Sequence, residues 1–133
     1  MSDGPRAIVA AHGQFAVGLV SAVACIAGEG AAARLVPLSN ATLGGAELAE
    51  TLRKAVETSG AQVVFTDLPA GSCTIAARRV ARDHPGLAVV CGVNLPLLLS
   101  FAVPSHGAPA TLREAVDKAR AAMVVAGEGP RVD

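Results

Sequence analysis

Strand-like apolar runs alternate with helix-like stretches along almost the whole chain, and that alternation constrains the fold more than any other feature. Ala7-Ile8-Val9-Ala10-Ala11 reads as a short buried strand, Gly13 as a turn, and Phe15 to Val20 as the opening of a helix. Arg34-Leu35-Val36-Pro37-Leu38 is a second strand, which Pro37 pushes towards a sheet edge or a strand end. From Gly44 to Ser59, Leu48, Leu52, Ala55 and Val56 share one helical face, with Glu47, Glu50, Arg53, Lys54 and Glu57 largely on the other. Gly60 closes that helix. Gln62-Val63-Val64-Phe65-Thr66 is a third strand leading to Asp67, and Leu68-Pro69-Ala70-Gly71 a turn. Ser72 is placed to cap a helix that runs to about His84. Leu87-Ala88-Val89-Val90-Cys91 is a continuous apolar run, the pattern of a parallel strand covered on both faces. Asn94 to Ala102 then predicts a short helix with Pro96 in its first turn, and Thr111 to Ala126 a last amphipathic helix. Residues 103–109 read as a loop and 128–133 as a loose tail. The expected fold is α/β: a three-layer open sandwich with a mainly parallel, twisted sheet of four or five strands and helices on both faces. No repeat or internal boundary divides residues 1–133, which are expected to form a single domain.

Composition narrows the function classes. Eleven basic and eleven acidic residues balance, so there is no electrostatic footprint for nucleic acid. Phe15, Phe65 and Phe101 are the only aromatic rings besides histidine, which leaves little for base stacking. Cys25, Cys73 and Cys91 lie far apart without metal spacing, so neither a metal nor a disulfide is expected, and their odd number suits a reducing compartment. Cys25 and Cys91 sit in apolar runs and are expected to be buried. Apolar stretches are too short to span a bilayer, and Met1 to Arg6 lacks the apolar core of a secretory signal, so a cytoplasmic location is expected. The helix from Asn94 to Ala102 is apolar nearly all round and must be covered, either within the chain or by a partner subunit.

In open α/β sheets, reacting groups gather at the carboxyl ends of the strands. Three predicted strand ends there carry His12, Asp67 with Ser72, and Asn94. His12 can act as nucleophile or base, and Asp67 can accept a hydrogen bond from one ring nitrogen, leaving the other free. The amides of Gly71 and Ser72, at a helix start, can receive anionic oxygens, while Gly13 and Gly71 keep the backbone open. Phe15, Cys73 and Asn94 are expected at the rim of this site. His84, before Pro85 at a helix end, suits the helix dipole, and His106 suits a solvated loop. Cys73 can alternatively be a thiol activated by a helix N-terminus. Each residue also has an ordinary reading as a turn former, a cap or a core group; what distinguishes them is agreement in position.

Three blocks carry a resemblance: residues 7–13, ending in His12-Gly13; Phe65-Thr66-Asp67-Leu68-Pro69-Ala70-Gly71-Ser72; and Cys91-Gly92-Val93-Asn94-Leu95-Pro96-Leu97-Leu98. In this order and spacing, over about Arg6 to Gly127, the chain resembles the mannose/sorbose family of phosphotransferase-system enzyme IIA domains. That resemblance implies a phosphohistidine carrier without cofactor, in which His12 accepts a phosphoryl group from the phosphocarrier HPr and passes it to a IIB component. It further implies that Asp67 hydrogen-bonds the histidine, that Ser72 lies near the phosphoryl site, and that the protein is a homodimer linked to a membrane only through other components. The phosphoryl group would serve sugar uptake or regulation. Since no IIB domain follows, IIB is expected on a separate protein. Some members complete the sheet by exchanging a C-terminal strand; no obvious fifth strand is present here.

The family commonly reads Gly-Gly-Ser-Pro with an Asn two residues later, where this chain has Ala70-Gly71-Ser72-Cys73-Thr74-Ile75, a change that bears on the rim and on partner choice. Alternatives are the phosphotransfer subunit of a dihydroxyacetone kinase, which shares the His-bearing block, a hydrolase using Ser72 or Cys73 with His12, and a docking regulator on the same fold. The Gly92-Val93-Asn94-Leu95-Pro96 block favours the sugar system over the kinase subunit, and a convincing nucleophile elbow for the hydrolase is lacking.

Overall fold

The computed structural model describes residues 6–103 and 111–131. Four strands, β1 (Ala7–Ala11), β2 (Leu35–Ser39), β3 (Val63–Thr66) and β4 (Ala88–Cys91), form one all-parallel sheet in the order β2-β1-β3-β4. Among the described residues, six helices surround it: α1 (Phe15–Ala27), α2 (Glu29–Ala32), α3 (Gly45–Ser59), α4 (Ser72–Arg82), α5 (Leu95–Ala102) and α6 (Leu112–Ala121). This is the α/β sandwich expected from the alternation. The short α2, set off from α1 by Gly28 at φ +94°, has no counterpart in that reading.

The period-two alternation of β1 sorts its side chains between two cores. Ala7, Val9 and Ala11 join the buried face of α1, α5 and α6, whereas Ile8 and Ala10 join that of α3 and α4. Leu48, Leu52 and Val56 are the buried face of α3, as their spacing requires. Phe65, fully buried on β3, meets Phe101 of α5 edge to face at 5.3 Å, a pair worth about 0.5–1.5 kcal/mol beyond its buried area. The chain itself covers α5: Leu97, Leu98 and Ala102 are buried, and Leu95, Leu99 and Phe101 pack against the same core.

Several expectations need correction. Helix α4 stops at Arg82 rather than His84, because Pro85 disfavours helical backbone in the residue before it. Helix α6 ends at Ala121 rather than Ala126. Beyond Ala122, the exposed Met123, Val124 and Val125 have no core to meet, and β-branched valines gain little from helix. Strand β4 is half-buried and not covered throughout, because it lies at the sheet edge opposite β2. The cysteines reverse their expected roles: Cys25 and Cys91 are exposed, and Cys73 is buried. Pro37 does mark an edge strand, β2. His106 and most of the segment 103–109 lie outside the described residues.

Candidate functional site

The chain leaves β1 for β2 on one side, then places β3 on the other side of β1. The crevice between the carboxyl ends of β1 and β3 is therefore the topological switch point, the general ligand position of this architecture. His12 follows β1 directly, and Asp67 follows β3 directly.

The structure joins these two residues twice. His12 Nδ1 lies 2.7 Å from Asp67 Oδ2, and the His12 main-chain N–H donates to the same oxygen at 3.0 Å. Burial by itself would raise the Asp67 pKa, but the main-chain and ring hydrogen bonds from His12 outweigh it and hold the carboxyl below its usual value. An ionised carboxylate can only accept, so Nδ1 carries the proton of the neutral imidazole and Nε2 keeps its lone pair. The His12 side chain is 50% exposed while that of Asp67 is only 12% exposed. The carboxylate is the sheltered orienting group, and the imidazole faces outward.

Helix starts surround the ring. The Phe15 N–H donates to the His12 carbonyl at 3.1 Å and turns the chain into α1 through Gly13 at φ +54°. Gly71, at φ +129° and ψ 173°, occupies a backbone region essentially reserved for glycine. A Cβ there would sit 3.7 Å from His12 Cε1, so the main chain preceding α4 lies against the imidazole. Neither α1 nor α4 carries a side-chain cap, in contrast to α5 and α6, capped by Asn94 and Thr111. The first-turn N–H groups of α4, and those of α1 beyond Phe15, remain available to an anion, favoured by the positive end of each helix dipole.

Ser72 is not the cap expected of it. Gly71 holds that position, and Ser72 begins α4 with its Oγ accepting from Asn40 Nδ2 at 2.9 Å. Asn94 accepts from Leu97 N at 3.0 Å and donates to Ala119 O at 2.9 Å. Its amide thus ties α5 to α6, a packing role in place of a rim position. Phe15 is exposed at the start of α1, as are Leu68 and Ile75 on the loop and first turn of α4. Cys73 points inward. Burial, then the negative charge of Asp67, push its thiol pKa up, the opposite of an activated nucleophile.

Sequence reasoning missed two contributors. Asn40, just past β2, is a fourth strand-end residue on the same edge, and the strand-end argument applied to β2 would have found it. Thr66 and Thr74 are buried with their hydroxyls 2.6 Å apart, and Thr74 donates to the Leu68 carbonyl at 2.5 Å. This pair staples the peptides flanking Asp67, satisfying polar groups that burial would otherwise penalise. Among the described residues, no group of three or more His, Cys, Asp or Glu is arranged to hold a metal ion, and no helix is long and apolar enough to cross a membrane.

A parallel sheet with an exposed, carboxylate-oriented histidine at its switch point defines an α/β domain whose candidate site centres on that histidine. Comparison with known proteins identifies the family. Residues 6–120 match the family described as "PTS system fructose IIA component", and the chain belongs to it. It is 36% identical over 105 residues to the PTS system sorbose-specific EIIA component of Klebsiella pneumoniae, an overlap covering 76% of this chain and 75% of that one. Its fold is similar to the mannose/sorbose specific IIA subunit from Enterococcus faecalis, with TM-score 0.78 and 25% identity over 98% of this chain and 99% of that one. A PTS IIA protein associated with the fucose utilization operon of Streptococcus pneumoniae is similar at TM-score 0.79 and 26% identity, over 94% and 96% of the two chains.

Proposed function

We propose that this protein is a cytoplasmic phosphohistidine carrier that receives a phosphoryl group from HPr on His12 Nε2 and delivers it to a IIB component. The observation that carries the reading is the Asp67 carboxylate on Nδ1, which leaves Nε2 as the exposed nucleophilic atom. In the transfer, the P–N bond to the donor histidine breaks as the P–Nε2 bond forms, and the Nδ1 proton stays in its hydrogen bond to Asp67. The transition state is loose, with charge spread over three oxygens, so the protein's task is positioning and electrostatic stabilisation. Asp67 orients the ring and stabilises its growing positive charge. The uncapped starts of α1 and α4, with Ser72, meet the phosphoryl oxygens. Exposed Phe15, Leu68 and Ile75 supply apolar surface for the partner proteins.

The same reading includes a homodimer. Among the described residues, strand β4 has no neighbour on its outer edge, beside a groove of about 620 Å³ lined by Val89, Val90, Leu112 and Val116 among others. The adjoining Met123, Val124 and Val125 are 85%, 72% and 87% exposed, an apolar run that a second copy's β4 edge would cover. The carrier role is tested by labelling with phosphorylated HPr: His12→Ala abolishes incorporation, while His84→Ala and His106→Ala retain it. Label on the His12→Ala protein would overturn the assignment.

A further inference from the structure

We infer that Asn40 is a positioning residue for phosphoryl transfer, setting the polarity of the Ser72 hydroxyl so that it can only donate to the transferring group. This rests on the reading that the phosphoryl group sits on His12 Nε2. The Asn40 main chain is held on both sides: its N–H donates to Ala11 O at 3.2 Å, beside His12, and its carbonyl accepts from Leu43 N at 3.1 Å. The loop closes through Thr42 at φ 68°, a backbone conformation uncommon for a β-branched residue. So anchored, the amide reaches across to the start of α4, where Nδ2 donates to Ser72 Oγ at 2.9 Å.

An NH₂ group donates and cannot accept. In this bond the Ser72 oxygen is therefore the acceptor, and its own proton is left for another partner, the neighbouring Cys73 sulfur or an incoming anion. A serine without such a neighbour can turn either lone pairs or proton towards an anion, and lone pairs repel it. With Asn40 in place, the exposed hydroxyl at the first position of α4 offers its proton, strengthened by the bond it accepts. The Gly71 main chain against His12 Cε1, the ring carbon bonded to both nitrogens, brings the start of α4 beside the imidazole.

Asparagine and aspartate separate this role from simple anchoring. In Asn40→Asp the carboxylate accepts the Ser72 proton, so the tether between β2 and α4 persists while the polarity reverses. Initial rates of His12 labelling by phosphorylated HPr are compared for wild type, Asn40→Ala, Asn40→Asp, Ser72→Ala and both double variants, with melting temperature as the check on folding. Asn40→Ala should slow labelling roughly 3- to 10-fold, the scale of one neutral hydrogen bond. Asn40→Asp should be slower than Asn40→Ala, and this excess should shrink in the Ser72→Ala background, where only the added charge still acts. Asn40→Ala should have no further effect in that background. The ³¹P resonance of the phosphohistidine should move alike in Asn40→Ala and Ser72→Ala. An Asn40→Asp rate at or above that of Asn40→Ala, or an undiminished effect of Asn40→Ala without Ser72, overturns the inference. Failure of wild type to be labelled overturns the carrier reading, and this inference with it. Normal labelling of wild type and all variants alike overturns this inference alone.

Discussion

At the residue scale, one carboxylate oxygen organises the site. Asp67 Oδ2 receives both the ring and the main chain of His12, so it sets tautomer and orientation together. In Asp67→Asn the His12 main-chain N–H, which can only donate, selects the amide oxygen for the same position, so the tautomer is kept. What is lost is the negative charge that stabilises the growing positive charge of the ring. Asp67→Asn should therefore slow His12 labelling roughly 10²-fold or more, in the range that one electrostatic stabiliser of a transition state contributes. Steady labelling kinetics with phosphorylated HPr check this, and an unchanged rate would show that the ring needs no carboxylate. His12, Asp67 and Gly71 were legible from sequence because each stands where an apolar run meets a turn. Asn40 was not. Its partner Ser72 lies 32 positions away along the chain, and only the parallel pairing of β2 and β3 on either side of β1 brings the two together.

At the element scale, α3 and α4 are linked on their outer faces by a charged chain. Arg53 pairs with Glu50 and Glu57 on α3, and Glu57 Oε2 lies 3.1 Å from His84 Nε2. His84 Nδ1 faces the Val80 carbonyl at 3.0 Å, near the α4 terminus, where a cation suits the dipole. The hydrogen bond to Val80, opposed by partial burial and aided by Glu57, raises the His84 pKa above its ordinary 6.5. With the folded value above the unfolded one, the contribution is fully present below about pH 6.5 and is lost as pH rises through the folded pKa. The melting-temperature deficit of His84→Gln should therefore be larger at about pH 5.5 than at about pH 8.5, as thermal denaturation at the two values will show. A deficit independent of pH would contradict the ion-pair account. Helical spacing made α3 legible almost to the residue. It failed for the end of α6 and for the burial of β4, because an apolar run reads alike whether its strand is central or at an edge, and strand order is not written in periodicity.

At the scale of the whole molecule, the site and the open sheet edge are separate features. His12, Asp67, Gly71, Ser72 and Asn40 come from one chain and meet at the β1–β3 crevice, whereas β4 borders the groove with α6. Sedimentation velocity should show a dimer for the wild type and a shift towards monomer when Val124 and Val125 are both changed to Asp, with labelling by phosphorylated HPr retained. A dimer indifferent to these changes would place the interface elsewhere. The alternation of runs and helices was enough to read the sandwich and the strand ends that meet at the site, but quaternary structure depends on which apolar residues stay uncovered, and that emerges only once the core is packed.

The central claim is that Nε2 of His12 carries the phosphoryl group. Its most direct test is ³¹P and ¹⁵N NMR of the intact protein after incubation with phosphorylated HPr. One phosphoramidate signal is expected, coupled to Nε2 of His12, with Nδ1 still protonated against Asp67. A phosphoryl group on Nδ1, on Ser72 or on another histidine would contradict it.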